Sequence, residues 1–267
     1  MRLISRRWLV IGLLLAAVGI CMVETQTSPA AAIRGVPSML RYLRGMWPPA
    51  WSAIPGLLEP LLESVEIAVV AIAWASFGAL ILGLLGARNI NSIGWLYQAV
   101  RILLNTLRGI PALLYALVFV AMVGLGPFPG VLGLACHCTG SLGRYFAEAF
   151  ESSDPGLIEA GKSVGAHKGQ IIVHFVLSDT LPLLIGYILY YFEYCIRTST
   201  LLGFVGAGGI GVPLLVALRL FRTREVAAIL MLILATVFTL DRTSAFIRRQ
   251  ILGGEHTLHR LSKRKVR

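Results

Sequence analysis

The sequence predicts an all-α integral membrane protein with six transmembrane helices, and three observations carry that prediction. The first is composition: 57% of the 267 residues are hydrophobic and 14% are charged, against roughly 45–50% apolar and about 25% charged in soluble domains. A chain with so few charges cannot clothe a water-soluble surface. Soluble enzymes, nucleic-acid readers and disordered tails are therefore excluded, despite a net charge of +11. The second is a series of apolar segments near the ~20 residues that a membrane helix needs. The third is the distribution of Lys and Arg between the connecting loops.

The elements follow in chain order. Trp8 to Val23 is a short anchor helix (about 8–23) opening an N-terminal region, 1–60, whose remainder is an extracytoplasmic segment. Arg6-Arg7, the apolar run and Ser28 to Ala32 also fit a cleavable signal peptide; retention as an anchor is favoured. The main domain covers 61–247. Its first span, 67–87, has no ionisable residue from Ile67 to Ala87. The second, 102–125, is interrupted by Arg108 and Pro111. The third is 128–148, the fourth 171–194 and the fifth 226–246, and a basic cytoplasmic tail, 248–267, closes the chain. Tyr187, Tyr190, Tyr191, Phe192 and Tyr194 read as an interfacial belt ending the span 171–194. Leu201 to Leu218 lacks ionisable residues too, but its five glycines and Pro213 disfavour a continuous helix. It is read as a re-entrant or broken-helix element on the outer side.

With the amino terminus inside, fifteen cations fall in the cytoplasm and seven outside, while Arg108 and Arg144 lie within spans. Both termini are then cytoplasmic. Eight of the inner cations (Arg242, Arg248, Arg249, Arg260, Lys263, Arg264, Lys265 and Arg267) crowd the last 26 residues. A basic stretch after an apolar segment faces anionic lipid or fixes topology rather than binding nucleic acid. The awkward minority is Arg219, Arg222 and Arg224, read as a basic outer rim that favours oxyanions or pairs with a docking protein.

The loop 152–170 is the most informative stretch. Asp154 followed by Pro155 caps and starts a helix, and Gly165 stops it within three turns. Leu157, Ile158, Gly161 and Val164 fall on one stripe, as in a short amphipathic helix pressed into a groove on a partner. Periodicity alone would equally fit a solvated loop.

Glu159-Ala-Gly-Lys-Ser-Val-Gly165-Ala166, followed by Leu181-Pro182, resembles the "EAA" loop of ATP-binding-cassette import permeases. It departs at Gly161, where that family has a second alanine, and at Ser178, where it has proline. The segments beginning at Leu104, Gly124 and Tyr190, with Ala87-Arg88-Asn89, are similar to phosphonate and phosphite permeases, and the likeness covers roughly 57–242. It implies the type I importer permease fold, two permeases around one path (identical chains or paralogues), and an extracytoplasmic binding protein that delivers a phosphonate- or phosphite-type oxyanion. It further implies an ATPase subunit dimer docked on a coupling helix at Asp154, Leu157, Glu159, Ala160, Gly165 and Ala166, in a bacterial cytoplasmic (inner) membrane. Other small solutes, and an ion-driven secondary carrier, stand as rivals.

The candidate gate and pathway residues are Arg108, Pro111, Arg144, Glu193, Arg197, Gly206, Gly208, Gly209 and Gly211. Glu193 and Arg197, spaced i, i+4 with the acid first, suit a helical ion pair. Gly206-Ala-Gly-Gly-Ile-Gly211 has the dinucleotide-fingerprint spacing, with Glu225 downstream, but no βαβ unit surrounds it; close backbone packing explains the glycines better. Cys136-His137-Cys138 lacks a second ligand pair for zinc, so thiol packing is preferred, and the four cysteines imply no disulfide framework. No catalytic constellation and no phosphate-binding GxxxxGK[ST] loop appears, so no cofactor is expected on this chain. ATP and magnesium belong on the partner ATPase.

Overall fold

The computed structural model describes residues 2–25, 29–91 and 93–265 and contains no β-strand among them. Two compact units emerge, Met1–Pro49 and Ala50–Arg267. In the first, α1 (Arg2–Glu24) covers the expected anchor and is apolar over Ile11–Glu24. The second helix, α2 (Pro29–Gly45), occupies what the sequence offered only as a connecting segment.

The second unit opens with α3 (Ile54–Leu85), which carries Pro55 in its first turn. Its buried positions Ala68, Ala71, Ala75 and Ala79 repeat at helical spacing, leaving a smooth small-residue face. Against that face lies α6 (Pro127–Glu151), the central helix, which also packs on α4 (Gly94–Gly109), α5 (Ala112–Val123) and the later α9. A side chain at Gly83 would come within 2.8 Å of the Phe146 Cβ, and one at Gly140 would press on the backbone of α4 at Arg108. Close helix approach in this bundle thus depends on missing side chains.

The expected span 102–125 is two helices, α4 and α5, bent by 86°. Pro111 has no N–H to offer α4, and it forces the preceding Ile110 into extended backbone (φ −96°, ψ 124°). The chain turns there instead of crossing straight.

After α6 come α7 (Pro155–Ser163), the four-residue α8 (Lys168–Ile171), a π-helical turn at Ile172–Val176, and α9 (Leu177–Leu202). Ser178, at the position where proline was expected, donates from its hydroxyl to the Val173 carbonyl inside the π turn, at 3.4 Å. A 3₁₀ turn at Gly203–Val205 and a glycine loop then lead to α10 (Gly211–Arg219) and α11 (Thr223–Lys265). The reading of 201–218 as a broken helix agrees with this geometry.

Among the described residues, three helical stretches are long and apolar enough to cross a membrane: Trp51–Leu85, Lys168–Val205 and Thr223–Gln250. The bent α4–α5 pair makes a fourth if counted as one span. Of the other two expected spans, α6 falls short of that composition, and α1 is apolar over Ile11–Glu24. For α6 the reason is structural. Its 25 residues reach about 37 Å at ~1.5 Å each, but its small and polar residues face protein, so a lipid-like surface is unnecessary. The last helix, α11, runs continuously through residue 248, where the basic tail was expected to start.

Candidate functional site

Two loop systems lie toward opposite ends of the second unit. Near the start of α3, Glu63 and Ser64 hold the glycine loop. At its far end, Arg88 and Asn89 meet the end of α6, from which α7 departs. Ser64 and Leu85 are separated by about 32 Å of helix at ~1.5 Å per residue.

At the far end, α7 is built as a rigid insert. The Asp154 carboxylate accepts from the Gly156 N–H at 2.9 Å, capping the helix as its sequence foretold. At the other end the Ala166 N–H donates to the Gly161 carbonyl (3.1 Å) and the Gly165 N–H to the Lys162 carbonyl (3.0 Å). This double closure requires a left-handed residue, and Gly165 supplies it at φ +76°. The chain then restarts at once: His167 Nδ1 accepts from the Gln170 N–H while Gln170 Oε1 accepts from the His167 N–H, a reciprocal cap.

Orientation is where the amphipathic expectation needs correcting. Gly161 is buried, and a Cβ there would sit 3.1 Å from Ile171 and 3.3 Å from Phe175. Ile158 packs on the bundle core. Val164, expected on the same stripe, is 76% exposed, because the helix has already ended at Ser163. The apolar side of α7 is therefore satisfied by its own chain. What faces outward is Glu159, Ala160, Lys162 and Val164, with Leu157 half-buried at the edge and Ala166 in the closing turn. The alanine-to-glycine departure at Gly161 thus falls where an added Cβ would press on Ile171 and Phe175.

Glu151 anchors this end, and nothing in its sequence setting marks it. One carboxylate oxygen accepts from the Arg88 backbone N–H and the other from the Arg101 guanidinium, each at 2.7 Å. Arg101 also donates to the Gly86 carbonyl at 3.3 Å and lies over the Tyr97 ring. The α3–α4 turn, α4 and the end of α6 are thereby tied together one turn before α7 begins. Beside them opens a cleft of about 480 Å³ lined by Arg88, Asn91, Gly94, Tyr97 and Gln98.

At the opposite end, Gly206, Gly208 and Gly209 all take positive φ (+79°, +79° and +74°). The Gly209 N–H donates to Glu63 Oε2 at 3.0 Å and the Ile210 N–H to the Ser64 hydroxyl oxygen at 2.8 Å. A Cβ on Gly209 would collide with Ser64 Oγ, and one on Gly211 with the Thr200 carbonyl. These glycines serve close backbone packing, as the rejection of a nucleotide fingerprint anticipated. Glu63 and Ser64, which the sequence reading missed, carry no local pattern that pairs them with a loop 146 residues away.

The other candidates scatter. Arg108 is exposed at the end of α4, and Pro111 sits at the bend. The carbonyls freed by that bend find partners: His137 Nδ1 donates to Ile110 (2.9 Å) and the Tyr115 hydroxyl to Leu107 (3.2 Å). Because a carbonyl only accepts, this bond fixes the proton of His137 on Nδ1. Arg144 is paired with Glu148 at 2.6 Å. The expected Glu193–Arg197 pair is absent. Glu193 instead meets Arg248 of α11 at 3.5 Å, while Arg197 is exposed; the i, i+4 spacing was outcompeted by an arginine from a neighbouring helix. Of the proposed basic rim, Arg222 is paired with Glu225 at 3.4 Å.

The tyrosines of α9 form no belt at the end of their helix. Tyr187 stacks on Tyr145 (ring centroids 5.0 Å apart), Tyr191 lies between Tyr145, Tyr190 and Tyr194, and Tyr194 stacks on His137. They make a continuous α6–α9 seam. In that seam the free thiols of Cys138 and Cys195 also touch, 3.3 Å apart and fully buried. Among the described residues no cluster of three metal-ligating side chains occurs.

Residues 79–251 match the family described as "Binding-protein-dependent transport system inner membrane component". A phosphite transport system permease protein of Stutzerimonas stutzeri, PtxC, is 37% identical over 81% of this chain and 79% of its own length. A putative phosphite transport system permease protein of the same organism, HtxC, is 37% identical over 91% of this chain and 85% of its own. Among solved structures, an inward-facing MetNI methionine ABC transporter chain superimposes with a TM-score of 0.67, at 22% identity over 76% of this chain and 99% of that one.

Proposed function

Because the chain belongs to the binding-protein-dependent transport system inner membrane components, a family of transport permeases and not of enzymes, we propose that it is the membrane subunit of an ATP-driven importer for phosphite- and phosphonate-type oxyanions. Two S. stutzeri relatives named as phosphite permeases, each 37% identical over most of this chain, support that substrate class.

The observation that carries the mechanism is the short helix α7, capped at both ends and seated on its own bundle through Gly161. In the proposed cycle its outward residues Glu159, Ala160 and Val164 meet a cytoplasmic ATPase subunit, which binds ATP and magnesium. Asp154, Gly165 and Ala166 fix the pitch of the helix by closing its ends, and Leu157 borders the contact. A push on α7 reaches the bundle through Ile171 and Phe175 rather than bending a free loop. Glu151 holds the adjacent ends of α3, α4 and α6 together, so that the push moves a unit. At the other end, the loop of Gly206, Gly208, Gly209 and Gly211 forms part of an outer gate against α3, where a binding protein delivers the anion. The bend at Pro111, with Arg108 beside it, and the charged groups Arg144, Glu193 and Arg197 border the path between them. Two such subunits, identical or paralogous, enclose it in the inner membrane, with both termini cytoplasmic.

The test is uptake into proteoliposomes that hold the permease with its ATPase and binding protein. ATP-dependent accumulation of phosphite or a phosphonate, abolished when residues 155–163 are scrambled in an assembled complex, is the expected result. Transport by the lone chain down an ion gradient would overturn the reading; ATP-dependent uptake confined to another solute would overturn the substrate class alone.

A further inference from the structure

The helix α2 (Pro29–Gly45) has a surface that the transport reading leaves unused. Its described apolar side chains Ile33, Val36, Met39, Leu40 and Leu43 are all exposed, from 46% to 71%. At 100° per residue they fall within one broad arc. Arg34, Arg41 and Arg44 gather along one flank of that arc, Ser38 lies beyond them, and the helix contains no acidic residue. Seventeen residues make about 25 Å at ~1.5 Å each, too short and too charged for a span. Pro37 stands inside the helix and denies the Ile33 carbonyl its helical donor, a defect that water tolerates and a hydrocarbon core does not. In the sequence α2 lies between the apolar stretch of α1 and the first long span, α3, so a bilayer surface is close at hand.

From this arrangement we infer that α2 is an interfacial helix, lying flat on an anionic phospholipid surface. Strong segregation of apolar and basic residues with little net hydrophobicity is the pattern of helices that immerse one face at the headgroup–acyl boundary. Three arginines on a helix with no acidic residue of its own favour anionic over zwitterionic headgroups, each adding electrostatic attraction near the surface. The arginine stems lie along the apolar arc while their guanidinium groups reach the phosphates. A docked acidic protein is the competing occupant; it would cover the basic flank but gives no reason for the width of the apolar arc.

The experiment uses the full-length protein in nanodiscs of phosphatidylglycerol or phosphatidylcholine. Spin labels are placed one at a time at Ser38→Cys, Met39→Cys, Leu40→Cys, Arg41→Cys, Tyr42→Cys and Leu43→Cys, in a background lacking the four native cysteines. Oxygen collision should exceed that of a water-soluble nickel chelate several-fold at residues 39, 40 and 43. The preference should reverse at 38 and 42, and the depth at 40 should decrease in phosphatidylcholine and in the triple variant Arg34→Gln/Arg41→Gln/Arg44→Gln. Uniform water access at all six positions, or apolar-arc labels that become protected only when a soluble protein partner is added, would overturn the inference. The readout is independent of transport, so its failure leaves the permease reading intact.

Discussion

Single residues carry contacts that their local sequence does not announce. Gly209 is held at φ +74° with its N–H on Glu63 and no room for a Cβ beside Ser64. The backbone penalty for an L-residue there is about 1–2 kcal/mol, before the collision. Gly209→Val should accordingly lower the thermal midpoint of the detergent-purified protein. Gly56→Ala, in open space within α3, should leave it unchanged or raise it. The Glu193–Arg248 pair gives a second test. A double-mutant cycle should show a coupling of about 0.5–1 kcal/mol for these two, given the partial exposure of Arg248 (38%). The cycle with Arg197 should show none. A measurable coupling to Arg197 would restore the helical pair that the spacing suggested.

At the scale of elements, the outcome turns on how helices end. The bend between α4 and α5 leaves carbonyls that His137 and Tyr115 take up. Removing His137 should cost about 0.5–1.5 kcal/mol, the net worth of one intramolecular hydrogen bond. His137→Gln, which still offers an N–H, should recover part of the loss that His137→Leu shows in thermal unfolding. In α7, Asp154→Ala should weaken the cap by about 1 kcal/mol, and Gly165→Ala should strain the closing turn. Both substitutions should lower the stimulation of ATP hydrolysis by loaded binding protein while leaving assembly with the ATPase intact. Unaltered stimulation in both variants would mean that the ends of α7 do not govern coupling.

Over the whole molecule, the central position of α6 explains why its hydropathy is lower than that of the spans around it. A helix sheathed by α3, α4, α5 and α9 needs glycine and hydroxyl groups for close packing, not a lipid-facing surface. Its sequence is consequently less apolar than that of its neighbours. The sequence by itself determined the class of the protein, because too few charges and repeated apolar segments admit only a membrane. It also determined α7, since Asp154-Pro155 and Gly165 are local start and stop signals whose hydrogen bonds close within a few residues. Only the tertiary structure decided which way that helix faces, that Pro111 breaks a span outright, that Glu151 gathers three helices, and which arginine Glu193 meets. Those outcomes are contests between partners distant in the chain, and periodicity along one segment holds no information about the neighbour that wins.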